Sequence, residues 1–407
     1  MPSKRPFNEK TSSQRVAPSK RLEGVSPSGM RILFEIAGEM RRQGRTVYDF
    51  GLGDIDIPLH PAIKEAMNRA VDNGITRYGP NAGELTLREK LADFYGTKYH
   101  VSGLGIENVM ITCGALEGLF DTIIAYSDPD SEVILHEPSF RYFNYICKIA
   151  GARPTVVDTD PTKDFVLDPA KVQDTITAKT KSILINFPTN PTSAVLDRKT
   201  MKAIVEIAED AGLLLISDES YENILFDETK HISALEFGYD KTLVLSSFSK
   251  SLCMTGLRVG YLVAPSKEVL SPILQIHQYN TAHANRPAQY GALAGLERIQ
   301  EIQENVVSIL GNRRKRFKDS WGTIPGVKIR LPAATFYFYP DISGTGMTGK
   351  EFSDFAVKNG VIVVPGTEFG EAMAGTTNHV RISFGVGQGN IIEDAAQTLI
   401  VALEKRR

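Results

Sequence analysis

Between residues 60 and 290, short apolar runs alternate with stretches of helical character. The runs are Asn108–Thr112, Glu132–His136, Pro154–Asp158, Ser182–Asn186, Leu213–Asp218, Thr242–Ser246 and Val259–Val263. Many place Val, Ile and Leu at consecutive positions, which predicts strands covered on both faces. Helices fit between them at Leu116–Tyr126, Ser139–Ala150, Asp168–Ile176 and Asp197–Ala211. Such alternation predicts an α/β architecture with a mostly parallel sheet. Ligands of open α/β sheets bind beyond the carboxyl ends of the strands.

Beyond Arg286-Pro287, a charged, helix-favouring stretch runs from Gln289 to Trp321, its middle unbroken by Gly or Pro until Gly311. It predicts a long helix leading out of the first core. Further signals follow at Val327–Arg330, Thr335–Tyr339, Gly349–Lys358, Val361–Val364, His379–Phe384 and Ile391–Lys405. A chain of 407 residues exceeds one ordinary core, so two domains are expected.

Composition narrows the class. At 42% hydrophobic and 23% charged, with a formal net charge of −2, nothing points to nucleic acid or a membrane surface. No apolar run reaches the roughly 18 residues of a membrane span. Cys113, Cys147 and Cys253 lie far apart without metal-ligand spacing, so free thiols, a cytoplasmic setting and no metal are expected. Residues 1–21 are basic and rich in Ser and Pro, carrying six Lys or Arg against Glu9. No apolar face at helical spacing appears there. That argues against a transit peptide and for an arm, weakly ordered or lying on a partner subunit.

The candidate chemistry gathers at predicted strand ends. Ser246-Ser247-Phe248-Ser249-Lys250 follows the Thr242–Ser246 run, and Arg258 comes eight positions after Lys250. A lysine there can form an imine with an aldehyde cofactor. Ser247, Ser249 and Arg258 can hold a phosphate, which is what pyridoxal phosphate requires. Asp218 ends a strongly apolar run, where a buried carboxylate needs a partner or serves as a helix N-cap. Thr112-Cys113-Gly114-Ala115-Leu116 reads as strand, turn and helix start, a place where unpaired N–H groups favour an anion. Asn186-Phe187-Pro188-Thr189-Asn190-Pro191 is a turn on its own merits. Phe140 offers either a stacking face or a core aromatic. An inward-facing Arg381 within His379–Phe384 needs an anion.

These stretches, in this order and spacing, resemble the class I pyridoxal-phosphate aminotransferases, in particular the prokaryotic aspartate and aromatic branch. The resemblance runs from about Leu22 to the C-terminus. It implies a large cofactor-binding domain over residues 60–290 with a seven-stranded sheet. It also implies a smaller discontinuous α/β domain from residues 22–59 and 291–407, in a homodimer with shared active sites. It assigns Lys250 as the imine-forming base, Asp218 to the pyridine nitrogen, and Asn190 and Tyr221 to the phenolic oxygen. The phosphate falls to Gly114, Ala115, Leu116, Ser247, Ser249 and Arg258, and Phe140 stacks on the ring. Tyr78, in Tyr78-Gly79-Pro80-Asn81-Ala82-Gly83, would reach the neighbouring subunit's phosphate. Arg381 would clamp the substrate α-carboxylate, with Gly53 and Asn190 beside it. The sequence departs from the family at Ser193 and Ala334, where glycine is usual, and at Ile55, where proline is. Elimination of sulfur amino acids and aminocyclopropane-carboxylate formation use the same core residues. Pyridoxal-binding regulators need a DNA-binding domain for which the N-terminal arm is too short. A dicarboxylate substrate needs a distal cation, with Arg141 and Arg286 as candidates. Phe34, Tyr339 or Phe369 would instead line an apolar pocket.

Overall fold

The computed structural model describes residues 17–371 and 373–406. The first sixteen residues of the expected basic arm lie outside them, and Lys20–Leu22 forms a single 3-10 turn. The chain begins with α1 (Gly29–Arg42), β1 (Tyr48–Asp49), α2 (Pro61–Asp72) and α3 (Leu85–Lys98). The central part runs β2 (Val109–Thr112), α4 (Ala115–Tyr126), β3 (Glu132–Glu137), α5 (Tyr142–Ala150), β4 (Arg153–Asp158), α6 (Pro169–Thr175), β5 (Thr180–Asn186), α7 (Arg198–Asp210), β6 (Leu214–Asp218), β7 (Thr242–Ser247), α8 (Phe248–Ser251) and β8 (Gly260–Val263). Next come α9 (Lys267–Asn280), α10 (Arg286–Leu296), α11 (Ile299–Trp321), β9 (Tyr337–Phe338), α12 (Gly349–Lys358), β10 (Val361–Ile362), β11 (Val364–Pro365), α13 (Ala374–Thr377), β12 (Val380–Ser383) and α14 (Ile391–Glu404).

Strands β2 to β8 form one seven-stranded sheet in the order β2-β8-β7-β6-β5-β3-β4. Only β8 runs against its neighbours β2 and β7. The consecutive apolar residues divide between the faces as the period of two requires. Val133, Leu135, Leu184 and Ile216 pack on one side with α4, α5 and α9. Ile134, Ile183, Ile185 and Leu215 pack on the other with α7. Sheet pairing sets Asn186 beside Asp218 and Asp218 beside Leu245, so three parallel strands end together.

Tyr48 and Asp49 pair in parallel with Val361 and Ile362, and Ala37 and Met40 pack on Ile362, which ties the segment before the sheet to the C-terminal part. Strands β11, β12 and β9 form a second small sheet.

Three expectations need correction. The stretch from Gln289 to Trp321 is two helices, interrupted at Glu297–Arg298. Gly291 and Gly295 press α10 against Ile63, Met67 and Leu252, while α11 packs on α14, so one straight rod cannot serve both contacts. Val327–Arg330 is no strand; Lys328 makes a single bridge to Asp341. The strand expected over Thr335–Tyr339 shrinks to two residues because Thr335 sits at φ 61°, outside the extended region.

Candidate active site

The ends of β5, β6 and β7 open into a cavity of about 470 Å³. Its walls include Gly53, Ala115, Leu116, Phe140, Asn190, Asp218, Tyr221, Ser247, Ser249, Lys250, Arg258 and Arg381. Fold and site are therefore coupled through strand register: what ends together in the sheet meets in space.

Lys250 lies in the one-turn helix α8, whose start is capped by Ser247 accepting from the Ser249 N–H at 3.1 Å. Its Nζ donates to the Gly53 carbonyl. Burial pushes the ammonium down to about 8; Asp54 opposes this, and Arg381 and Arg258 reinforce it. About half the lysine is then neutral at pH 8, against about 0.3% at its ordinary 10.5, so it is available as nucleophile and base.

Asp218 is buried at the end of β6, accepting the Ser220 N–H at 3.0 Å. Among the described residues no cation makes an ion pair with it. Burial raises its carboxyl from 3.8 to about 6. A protonated heterocyclic nitrogen is the partner this carboxylate lacks. A raised folded-state pKa gives stability that is full below the ordinary value and lost as pH rises through about 6. In the cofactor-free protein, Asp218→Asn should therefore remove a decline of about 3 kcal/mol between pH 4 and 6. Thermal denaturation of variant and parent across that window reads the difference, and parallel curves would show that Asp218 does not titrate there.

At the other end, Gly114 turns at φ 86° and precedes α4 without supplying a capping side chain. Ala115 and Leu116 line the cavity in the first turn of α4, which has no side-chain cap. A Cβ on Gly114 would collide with the Arg258 guanidinium, which donates to the carbonyls of Thr255 (3.0 Å) and Cys113 (3.4 Å). Ser247 and Ser249 hydroxyls lie 2.8 Å apart. This donor set fits a phosphate dianion. Phe140 supplies a flat wall, stacked on Tyr142 at 4.6 Å.

Arg381 is 1% exposed and donates to Asn190 Oδ1 (3.1 Å) and to the Gly51 carbonyl (2.5 Å). Its Nε has no hydrogen-bond partner among the described residues. Its guanidinium lies between the rings of Tyr337 and Phe369, at 4.6 and 4.9 Å. Because Asn190 Oδ1 already accepts, its amide N–H₂ remains free to donate. Ser193 adopts φ 61°, and its hydroxyl meets Thr335 Oγ1 at 2.5 Å and donates to the Tyr337 carbonyl at 2.9 Å. These bonds offset the left-handed strain where glycine is usual.

Some expected residues lie elsewhere. Tyr78 is 88% exposed and touches only the His283 ring among aromatics, away from this chain's cavity. Arg286 is bound to Glu84 at 2.5 Å and to the carbonyls of Arg77 and Tyr78. Arg141 donates to Tyr145, Thr367 and Gly370. Neither lines the cavity. Phe34 does, whereas Tyr339 stacks on His379 and Phe369 backs Arg381.

The sequence reading missed Tyr337, whose hydroxyl lies 3.0 Å from that of Tyr221, and also Asp54 and Arg31 in the walls. It missed two buried acid–histidine clusters as well, Glu117–Asp121–His277 and Glu219–Glu222–His231. In the first, the His277 ring meets Glu117 at 2.8 Å; in the second, Glu219 takes His231 at 2.9 Å and the Ala234 N–H, and Glu222 takes Lys98.

The model of the family "Aminotransferase class I and II" matches residues 45–399. An aspartate aminotransferase of Pyrococcus horikoshii is 35% identical over 381 residues, 92% of this chain and 94% of the relative. An aromatic-amino-acid aminotransferase of Thermococcus litoralis is 33% identical over 96% of this chain and all of its own length. Among solved structures, the aspartate aminotransferase from Thermus thermophilus with maleate superimposes with a TM-score of 0.89 at 30% identity, covering 95% of this chain and 100% of that one.

Proposed function

This chain belongs to the class I and II aminotransferases and is an aminotransferase; from that premise, we propose that it binds pyridoxal 5'-phosphate and transfers an amino group from an L-amino acid, aspartate, aromatic or similar, to a 2-oxo acid such as 2-oxoglutarate. The observation that carries this is the meeting of a half-buried Lys250, donating to the Gly53 carbonyl, and an ion-pair-free buried Asp218 in one cavity with a phosphate-fitting donor cup. When bound, the cofactor supplies an aldehyde for lysine and an electron sink that acidifies the substrate α-carbon.

The chain's residues divide the remaining work. Ser247, Ser249, Arg258 and the N–H groups of Ala115 and Leu116 bind phosphate, and Gly114 keeps that cup open. Phe140 lies against the ring. Asp218 holds the proton on the ring nitrogen, and a cation there returns its own pKa toward the ordinary range. Asn190 and Tyr221 donate to the phenolic oxygen, with Tyr337 in reach to donate to Tyr221. Arg381 binds the α-carboxylate, and Gly53 admits substrate close to backbone. Neutral Lys250 Nζ would take the α-proton and return it two atoms along, to the carbon on the far side of the amino nitrogen, acting as base and then acid.

The working form is a homodimer with shared sites. Tyr78, 88% exposed and outside its own cavity, supports this as an arm for the partner's phosphate. Residues 22–59 and 291–407 form the smaller unit that covers the site. The setting is cytoplasmic, supported by three cysteines left as free thiols. No helix among the described residues is long and apolar enough to cross a membrane.

A panel of amino-acid donors with the cofactor-loaded protein tests the reaction. Aspartate or aromatic donors should convert the aldehyde form of the cofactor to its amine form, and 2-oxoglutarate should reverse the spectrum with one 2-oxo acid released per amino group moved. Release of ammonia and a thiol without amino transfer would show elimination instead.

A further inference from the structure

Besides Lys250, three cations line the cavity: Arg258, Arg381 and Arg31. The first two are held by protein acceptors and have assigned anions in the proposed reaction. Arg31 is different. It stands exposed in the first turn of α1 and, among the described residues, its side chain makes no ion pair and no hydrogen bond.

A cation at that position lacks a structural reason. The first turn of a helix carries the positive end of the macrodipole, so acids belong there and a guanidinium is disfavoured. No acid occupies the first turn of α1. Glu368 takes the Gly29 N–H at 3.0 Å and Asp54 takes the Ile55 N–H at 2.9 Å, so these carboxylates serve backbone donors, and Glu35, one turn along α1, makes no ion pair with Arg31. The two cations that sequence offered for a distal charge, Arg141 and Arg286, are consumed elsewhere.

Position completes the argument. With its α-carboxylate on Arg381 and its α-carbon at Lys250, a substrate must send its side chain toward the mouth. Phe34, 49% exposed, and Leu52, 43% exposed, mark that mouth, and Arg31 stands with them in the same wall. We propose that Arg31 is the residue that selects dicarboxylic substrates, pairing its guanidinium with their distal carboxylate. This rests on the aminotransferase reading above and deepens it. The apolar neighbours Met30 and Phe34 give an aromatic side chain a surface that needs no charge, so the two substrate classes separate at this residue.

The test compares the cofactor-loaded parent with Arg31→Met and Arg31→Lys. Maleate, a dicarboxylate that cannot donate an amino group, serves as probe in titration calorimetry, and aspartate, glutamate and phenylalanine serve as donors. Arg31→Met should weaken maleate binding and raise KM for aspartate and glutamate by about 10- to 100-fold, the loss of a charge-assisted hydrogen-bonded pair. It should leave kcat and the phenylalanine reaction within about twofold. Arg31→Lys should restore part of the loss, and the effect should shrink in high salt. Unchanged maleate affinity, or equal losses for aspartate and phenylalanine, would overturn the assignment. A parent protein that moved no amino group from any donor would sink the underlying reaction instead, while maleate binding would still score Arg31.

Discussion

Lys250→Ala is expected to lose the visible absorbance of the lysine-linked cofactor and about 10,000-fold or more in turnover. Two separate functions end together. The covalent tether goes, and so does the group whose burial has brought it down to about 8, close to working pH. Efficiency of proton transfer is greatest when the catalyst's pKa lies near the pH of operation, so no ordinary surface lysine substitutes for this one. Lys250→Arg is the sharper control. It keeps charge and bulk beside the Gly53 carbonyl but stays protonated and cannot attack an aldehyde. It should be as inactive as the alanine variant. Small primary amines added to Lys250→Ala should restore part of the rate in order of their basicity, since they supply the missing base. A Lys250→Ala protein that kept its lysine-type absorbance and transaminated normally would place the nucleophile elsewhere.

The large sheet was legible because its strands, apart from the edge strand β4, are buried on both faces. Most are runs rich in Val, Ile and Leu ended by turn residues, and the runs and the strands agree within a residue or two from β2 to β8. The C-terminal part was less legible because its strands are two to four residues long and depend on partners distant in sequence. Thr335 leaves the extended region in order to meet Ser193, a contact no local pattern announces. The interruption at Glu297–Arg298 lacks Gly or Pro, and its cause is the packing of Gly291 and Gly295 on α2 and Leu252.

The site divides along the same line. Lys250, Asp218 and Asn190 follow apolar runs directly, so chemistry and local structure are read together. Arg381 is legible as a charge inside a strand pattern. Arg31, Asp54 and Tyr337 reach the cavity only through tertiary folding, and none is remarkable in its own segment. Arg141 and Arg286 show the converse: they are charges at suggestive positions whose acceptors, Gly370 and Glu84, could not be foreseen.

Arg381→Lys should lower kcat/KM for every amino-acid donor by about 100- to 10,000-fold, the range for two charge-assisted hydrogen bonds lost together. The geometry makes this substitution unlike a conservative one. Arg381 already spends Nη1 on Asn190 and Nη2 on Gly51, while its flat faces lie against Tyr337 and Phe369. Burial lowers its pKa, yet a guanidinium remains charged at working pH. A lysine supplies one point charge and no fork. It cannot satisfy Asn190 Oδ1 and Gly51 O and still present paired donors to a carboxylate. Asn190 would also lose the bond that fixes its amide, so its donor toward the phenolic oxygen would be less well aimed. The decisive measurement compares an amino acid with the amine formed by removing its carboxyl group. The parent should strongly prefer the amino acid, and the variant should lose nearly all of that preference while reacting with the amine at close to the parental rate. A variant that still preferred the amino acid by the parental ratio would show that the α-carboxylate is bound by some other group.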